Sequence, residues 1–242
     1  MKTWQIILVA TAASVLAAVA IVRGPQWSGT AAVEPRGTGQ GAASRAAGVP
    51  LPWQITAHPD GSSEALGLRL GSSTLADARQ RFGPDTQIAI IAAPGEEGTL
   101  EAFVDPAQAG FIVGKLVITA ELPTAELRSL RNRALKSEFM ESTTRKYTLR
   151  AEDEAQALQA RIVALSFIPQ ARLDAEAVLA RFGPAAARVR SNGQQEHFLY
   201  PEKGLDVIVD SEGKELLQYV APRDFERLRA PLLAASAASA AR

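Results

Sequence analysis

The tetrapeptide Arg-Phe-Gly-Pro stands at positions 81–84 and again, one hundred residues later, at 181–184. Each copy closes a helical pattern. Before the first, Leu75, Ala78 and Phe82 recur at i, i+3 and i+7 on one helix face, with Ser72, Ser73 or Thr74 available as a cap. Before the second, Ala175, Val178 and Phe182 repeat the stripe. The glycine suits the positive-φ residue that ends a helix, and the proline blocks continuation. The tetrapeptide therefore reads as a stop signal rather than a ligand motif.

The segments after the two stops also match. EAFVDPAQAGF from Glu101 sets Glu, Phe, Pro and Gly in the order of EHFLYPEKGL from Glu196, and GKLVITAELP from Gly114 parallels GKELLQYVAP from Gly213. Three matches in one order predict two copies of one unit, with insertions confined to turns. Short β-rich runs separated by SNGQ, PEKG and SEGK predict a meander in the second unit, and TQIAIIA, TLEAFVD, GFIV and KLVITAEL predict one in the first. The expected fold is α+β: two tandem repeats of a helix packed on an antiparallel β-meander. Both faces of QIAIIA and LEAFV are apolar, which predicts the second module packed against the free face of the first sheet. Between the modules, residues 124–141 read as one helix with Leu127, Leu130, Ala134 and Phe139 inward and Arg128, Arg131 and Lys136 outward. A strand KYTL, a helix over 151–160 and a strand RIVALSFI come next.

Residues 4–22 carry no charged side chain, and as a helix they would extend about 28 Å, close to the hydrocarbon thickness of a bilayer. This predicts an N-terminal membrane-spanning helix in a bacterial inner membrane, with the folded part periplasmic. Ala18-Val19-Ala20 offers a signal-peptidase site as the alternative, which would release the protein to the periplasm. Residues 23–50 hold six glycines and three prolines without apolar periodicity and read as a disordered linker. The expected organisation is an anchor or signal over 1–22, that linker, module 1 over 51–122, connecting elements over 123–164, module 2 over 165–230 and a disordered tail over 231–242.

Chemistry is constrained by what the chain lacks. It has no cysteine and only two histidines, His58 and His197, which leaves no thiolate and no His-rich metal cluster. Balanced charge, 26 basic against 26 acidic residues, gives no field favouring nucleic acid. No G-x-S-x-G elbow or phosphate-cradling G-x-x-x-x-G-K-[ST] loop occurs. Glu196 neighbours His197 but points to the other face of a strand. No enzyme activity, cofactor or metal is expected.

A partner site is read on the second sheet instead. With Val189, Phe198, Val207 and Val209 facing the helix, Arg188, Arg190, His197, Asp206 and Gln218 would share the outer, solvated face.

The order LGLRLGSSTLADARQRFGPD, with strands after it, resembles the tandem modules of the β-lactamase-inhibitor-protein family and the related small outer-membrane-assembly lipoproteins. Gly71, Ser72, Thr74, Leu75, Phe82, Gly83 and Pro84 carry the resemblance, over about residues 65–122 and 165–222. The chain departs in having no lipid-acceptor cysteine and no disulfide pair, and its proline directly follows the glycine. The resemblance implies a periplasmic, non-catalytic binding module. The expected function is accordingly a membrane-tethered envelope protein that engages another envelope protein. The alternative is a carrier or sensor for a lipid or small apolar ligand held in a groove between the modules.

Overall fold

The structure, a computed structural model, describes residues 48–140, 143–191 and 194–240. The expected membrane helix and most of the linker lie outside the described residues. Among the described residues no helix is long and apolar enough to cross a membrane.

The fold is α+β, built on a ten-stranded sheet. Its strands are β4 (Gln87–Ala92), β5 (Thr99–Ala109), β6 (Ile112–Glu121), β7 (Lys136–Phe139), β8 (Arg145–Thr148), β9 (Arg161–Pro169), β10 (Ala187–Arg190), β11 (Gln195–Tyr200), β12 (Leu205–Asp210) and β13 (Leu216–Val220). Across the sheet they run in the order β10-β11-β12-β13-β9-β6-β5-β4-β8-β7, and every neighbouring pair is antiparallel. A small second sheet joins β1 (Thr56–Ala57), β2 (Ser63–Ala65) and β3 (Leu68–Arg69).

Four helices bury their apolar stripes on one face of the large sheet: α1 (Leu75–Phe82), α2 (Thr124–Asn132), α3 (Ala151–Ala157) and α4 (Ala175–Phe182). Leu75 and Ala78 of α1, Leu127 and Leu130 of α2, Ala157 of α3 and Val178 and Phe182 of α4 join one core with Ile90, Leu100, Ile118, Phe167, Val207 and Tyr219 of the strands. The fifth helix, α5 (Glu226–Ala240), packs on the opposite face, where Phe225 just before it and Leu232 within it meet Leu199 and Val220.

Several expectations change. The two modules do not stack face to face: β6 pairs with β9, so the early and late strands continue one another edge to edge. The free face that was to receive the second module carries Ala89 and Ile91 packed by Met140 instead. The helix expected over 124–141 stops at Asn132, and Lys136–Phe139 becomes the edge strand β7, with Phe139 largely exposed beneath the Arg145 guanidinium at 4.0 Å. Strand pairing with β8 satisfies the backbone there, which outweighs helix periodicity in an exposed segment. The outward arginines of α2 are engaged rather than merely solvated. Arg128 grips the Glu97 carboxylate through Nη2 at 2.6 Å, and Arg131 donates to the Glu96 and Glu97 carbonyls at 2.7 and 2.9 Å, closing the β4–β5 turn. The expected tail is helical through Ala240.

The strand matches also divide. β5 and β6 are hairpin partners, whereas β12 lies between β11 and β13. Pairing β5 with β11 and β6 with β13 thus requires a whole strand, not a turn, as the insertion. Gly114 sits inside β6, while Gly213 is in the β12–β13 turn with its N–H donating to Asp210 at 2.8 Å.

Candidate functional site

The five residues expected on one solvated face are split between two faces. Cross-strand partners point the same way, and β10 sets Arg188 opposite Phe198, Val189 opposite His197 and Arg190 opposite Glu196. Arg188 and Arg190 therefore share the helix-bearing side with Phe198, and Val189 shares the other side with His197. The expected register of β10 is one residue out, which exchanges the faces. The reason is α5 and the turn before it: Phe225, Leu228 and Leu232 form a second apolar layer, so Val189 packs under them on the face that the sequence pattern leaves free. Arg188 lies exposed, with its guanidinium 4.6 Å from the Phe198 ring and 2.9 Å from Glu196. Arg190 is also exposed.

His197, Asp206 and Gln218 do share a face, but they are 8%, 2% and 4% exposed and not a solvated surface. The structure adds Ser191, which the sequence pattern assigns only to a turn. His197 Nδ1 lies 2.7 Å from Asp206 Oδ2, and His197 Nε2 lies 3.0 Å from Ser191 Oγ. Strand parity was the available signal: residues 189 and 191 fall on one face, and the hairpin brings 191 diagonally beside 197.

This order of atoms is that of a serine nucleophile relay. Burial raises the pKa of Asp206 against the opposing pull of the His197 hydrogen bond, and Asp206 Oδ1 is buried with no partner among the described residues. Neighbouring Gln218 Nε2 is likewise buried without a partner among them. The arrangement holds Ser191, whose N–H donates to the Gln195 carbonyl at 3.3 Å, and so closes the β10–β11 hairpin. On the same face of the sheet, Glu101 of β5 is buried, and desolvation pushes its pKa up to about 7 despite a 2.8 Å hydrogen bond from Thr99.

A different surface gathers aromatic and cationic side chains. The Phe182 ring of the second stop signal lies 6.0 Å from Tyr200 and 6.4 Å edge-on from Trp53, which in turn meets Phe111 at 6.1 Å. Arg181 covers the Trp53 face at 4.4 Å, and Lys203 stands 5.3 Å from the Tyr200 ring while donating to the Phe182 carbonyl at 2.5 Å. The row grades outward from Phe182 in the core to Phe111, 68% exposed at the β5–β6 turn. None of its members is a binding candidate on sequence pattern alone. Trp53 reaches the row because the segment before β1 is tied down, with Tyr219 Oη donating to the Pro52 carbonyl at 2.9 Å and Gly110 N to the Val49 carbonyl at 2.8 Å.

Two cavities bear on the ligand-carrier alternative. One of about 440 Å³ is lined by residues of 48–67, including Gln54, Thr56 and Glu64, and one of about 110 Å³ is lined mainly by arginines and carboxylates. Neither is an apolar groove, and the join between early and late strands is a hydrogen-bonded ladder. No family model, curated protein or solved structure matches this chain.

Proposed function

We propose that this chain is a non-catalytic, membrane-tethered cell-envelope protein that binds another envelope protein through the Phe111–Trp53–Arg181 edge. In this reading residues 4–22 span the bacterial inner membrane, the described part is periplasmic, and the two helix-and-meander units descend from one duplicated unit. Support for the duplication comes from two eight-residue helices that end in the same Phe-Gly-Pro manner.

One observation carries the choice of surface: Phe111 is 68% exposed and continuous with Trp53 and Arg181. Binding energy at protein interfaces concentrates in Trp, Tyr and Arg that become fully desolvated, and these side chains are rigid or already stacked, so little ordering entropy opposes their use. The candidates on the second meander fit less well. His197, Asp206 and Gln218 are covered, which leaves Arg188 and Arg190 as the accessible pair.

Site-specific photocrosslinking in cells tests this. A benzoylphenylalanine at position 111 of the full chain should capture a discrete envelope protein, and Trp53→Ala or Arg181→Ala should abolish that adduct while circular dichroism stays unchanged. The same probe at exposed Leu135 should not give it. An adduct insensitive to Trp53 and Arg181, or shared with position 135, overturns the assignment.

A further inference from the structure

Where β6 and β9 end, at the paired residues Glu121 and Arg161, lies the cavity of about 110 Å³. Three arginines, Arg161, Arg223 and Arg227, line it together with Glu121 and Asp224; Arg161 and Arg223 are exposed and Arg227 is half-buried. Charge pairing there is incomplete. Arg223 Nε is 3.8 Å from Asp224, and its Nη1 donates to the Asp60 carbonyl at 3.2 Å. Arg161 and Arg227 have no ion-pair partner among the described residues, although Glu121 stands directly opposite Arg161 in the ladder.

The placement compounds the excess. Arg227 lies in the first turn of α5 and Arg223 just before it, at the helix end whose N–H dipoles favour anions and disfavour cations. Glu226, the acid of that turn, is drawn instead to Arg229 at 2.7 Å. Arg161 and Arg227, without an ion-pair partner among the described residues, border one cavity with a helix N-terminus, and guanidinium forks and helix N–H groups are donors suited to an oxyanion.

We infer that this cavity binds a phosphate-type oxyanion, whether free phosphate or the phosphomonoester headgroup of a lipid. The site shares no residue with the aromatic edge, so the two stand or fall separately. Planar forks rather than point charges set the recognition, so lysine is a poor replacement.

The test uses the full chain in a non-ionic detergent, titrated calorimetrically with inorganic phosphate and, separately, with short-chain phosphatidic acid and short-chain phosphatidylcholine. Saturable binding of phosphate is expected if the free ion suffices, and binding of phosphatidic acid alone identifies the lipid headgroup; phosphatidylcholine should not bind. Arg161→Gln with Arg227→Gln should weaken binding at least about tenfold, as loss of charge-assisted bonds does. Arg161→Lys with Arg227→Lys, which keeps the charge and disturbs folding least, should weaken it as well. Bound anion should also protect Arg161 and Arg227 from phenylglyoxal in peptide mass mapping. No saturable binding of either inorganic phosphate or phosphatidic acid, or affinity unchanged in both double variants, overturns the inference.

Discussion

The α1–β4–β5–β6 unit and the α4–β10–β11–β12 unit start alike and end differently. Both helices span eight residues, both have an N-cap side chain that accepts a backbone N–H (Thr74 from Asp77 N, Asp174 from Ala177 N), and both stop at a glycine with positive φ, 107° and 84°. Beyond the stop, β4 is an interior strand between β5 and β8, while β10 is the edge of the sheet. The anchoring rings diverge too: Phe82 is half-buried, but Phe182 is 3% exposed against Trp53 and Tyr200. A helix end is specified by a few adjacent residues and so repeats with its sequence. Burial depends on distant neighbours and does not.

The largest effect should separate the two rings. Phe182→Ala is expected to cost about 3–5 kcal/mol as a large-to-small core change, and Phe82→Ala about 1–2 kcal/mol, because a half-buried ring forfeits only part of its transfer free energy. Urea denaturation of both variants measures this; equal losses would mean that the rings occupy equivalent sites after all.

Next in size is a pH effect placed in the first unit. The Glu101 carboxyl, held by burial at about 7 against an ordinary 4.5, stays protonated in the folded chain after the unfolded chain has lost its proton. Stability from this group is therefore full below about pH 4.5 and falls as pH rises towards 7, by about 3 kcal/mol in total. Glu101→Gln should flatten that decline in denaturation curves taken across the interval. If Asp206→Asn flattens it instead, the weight lies in the second unit.

The two stops should then prove equivalent. A Cβ at Gly83 or Gly183 would meet nothing within 4 Å, so alanine at either costs only the backbone conformation, about 1–3 kcal/mol and the same at both. Thermal melts that differ widely between Gly83→Ala and Gly183→Ala would break the parallel. Cap removal is smaller: Thr74→Ala and Asp174→Ala should each cost about 1 kcal/mol, with Thr74 the more costly because its hydroxyl shares a capping box with Asp77. Least of all, replacing Arg188 and Arg190 together by alanine should cost under about 1 kcal/mol, since an exposed ion pair and a stacked guanidinium contribute little. A large loss would mean that the edge strand depends on them.

From the amino-acid sequence alone, the local devices were legible. The stripes of Leu75–Phe82 and Ala175–Phe182, their caps, their glycine stops and the β-runs of the second meander all arise from residues close in the chain, whose backbone preferences need no distant partner. The tertiary structure decided everything that required knowing what lies across from what. It joined β6 to β9, drew Lys136–Phe139 out of a helix into an edge strand, and laid Phe225 and Leu232 over the sheet face where the apolar pattern leaves His197 and Asp206 solvated. It also placed Trp53 between Phe111 and Phe182, three rings far apart in sequence. Hydrophobic periodicity tells which side of an element is apolar; it does not tell how many apolar layers the rest of the chain will supply to cover it, because burial is a property of packed surfaces and not of a residue's neighbours along the backbone.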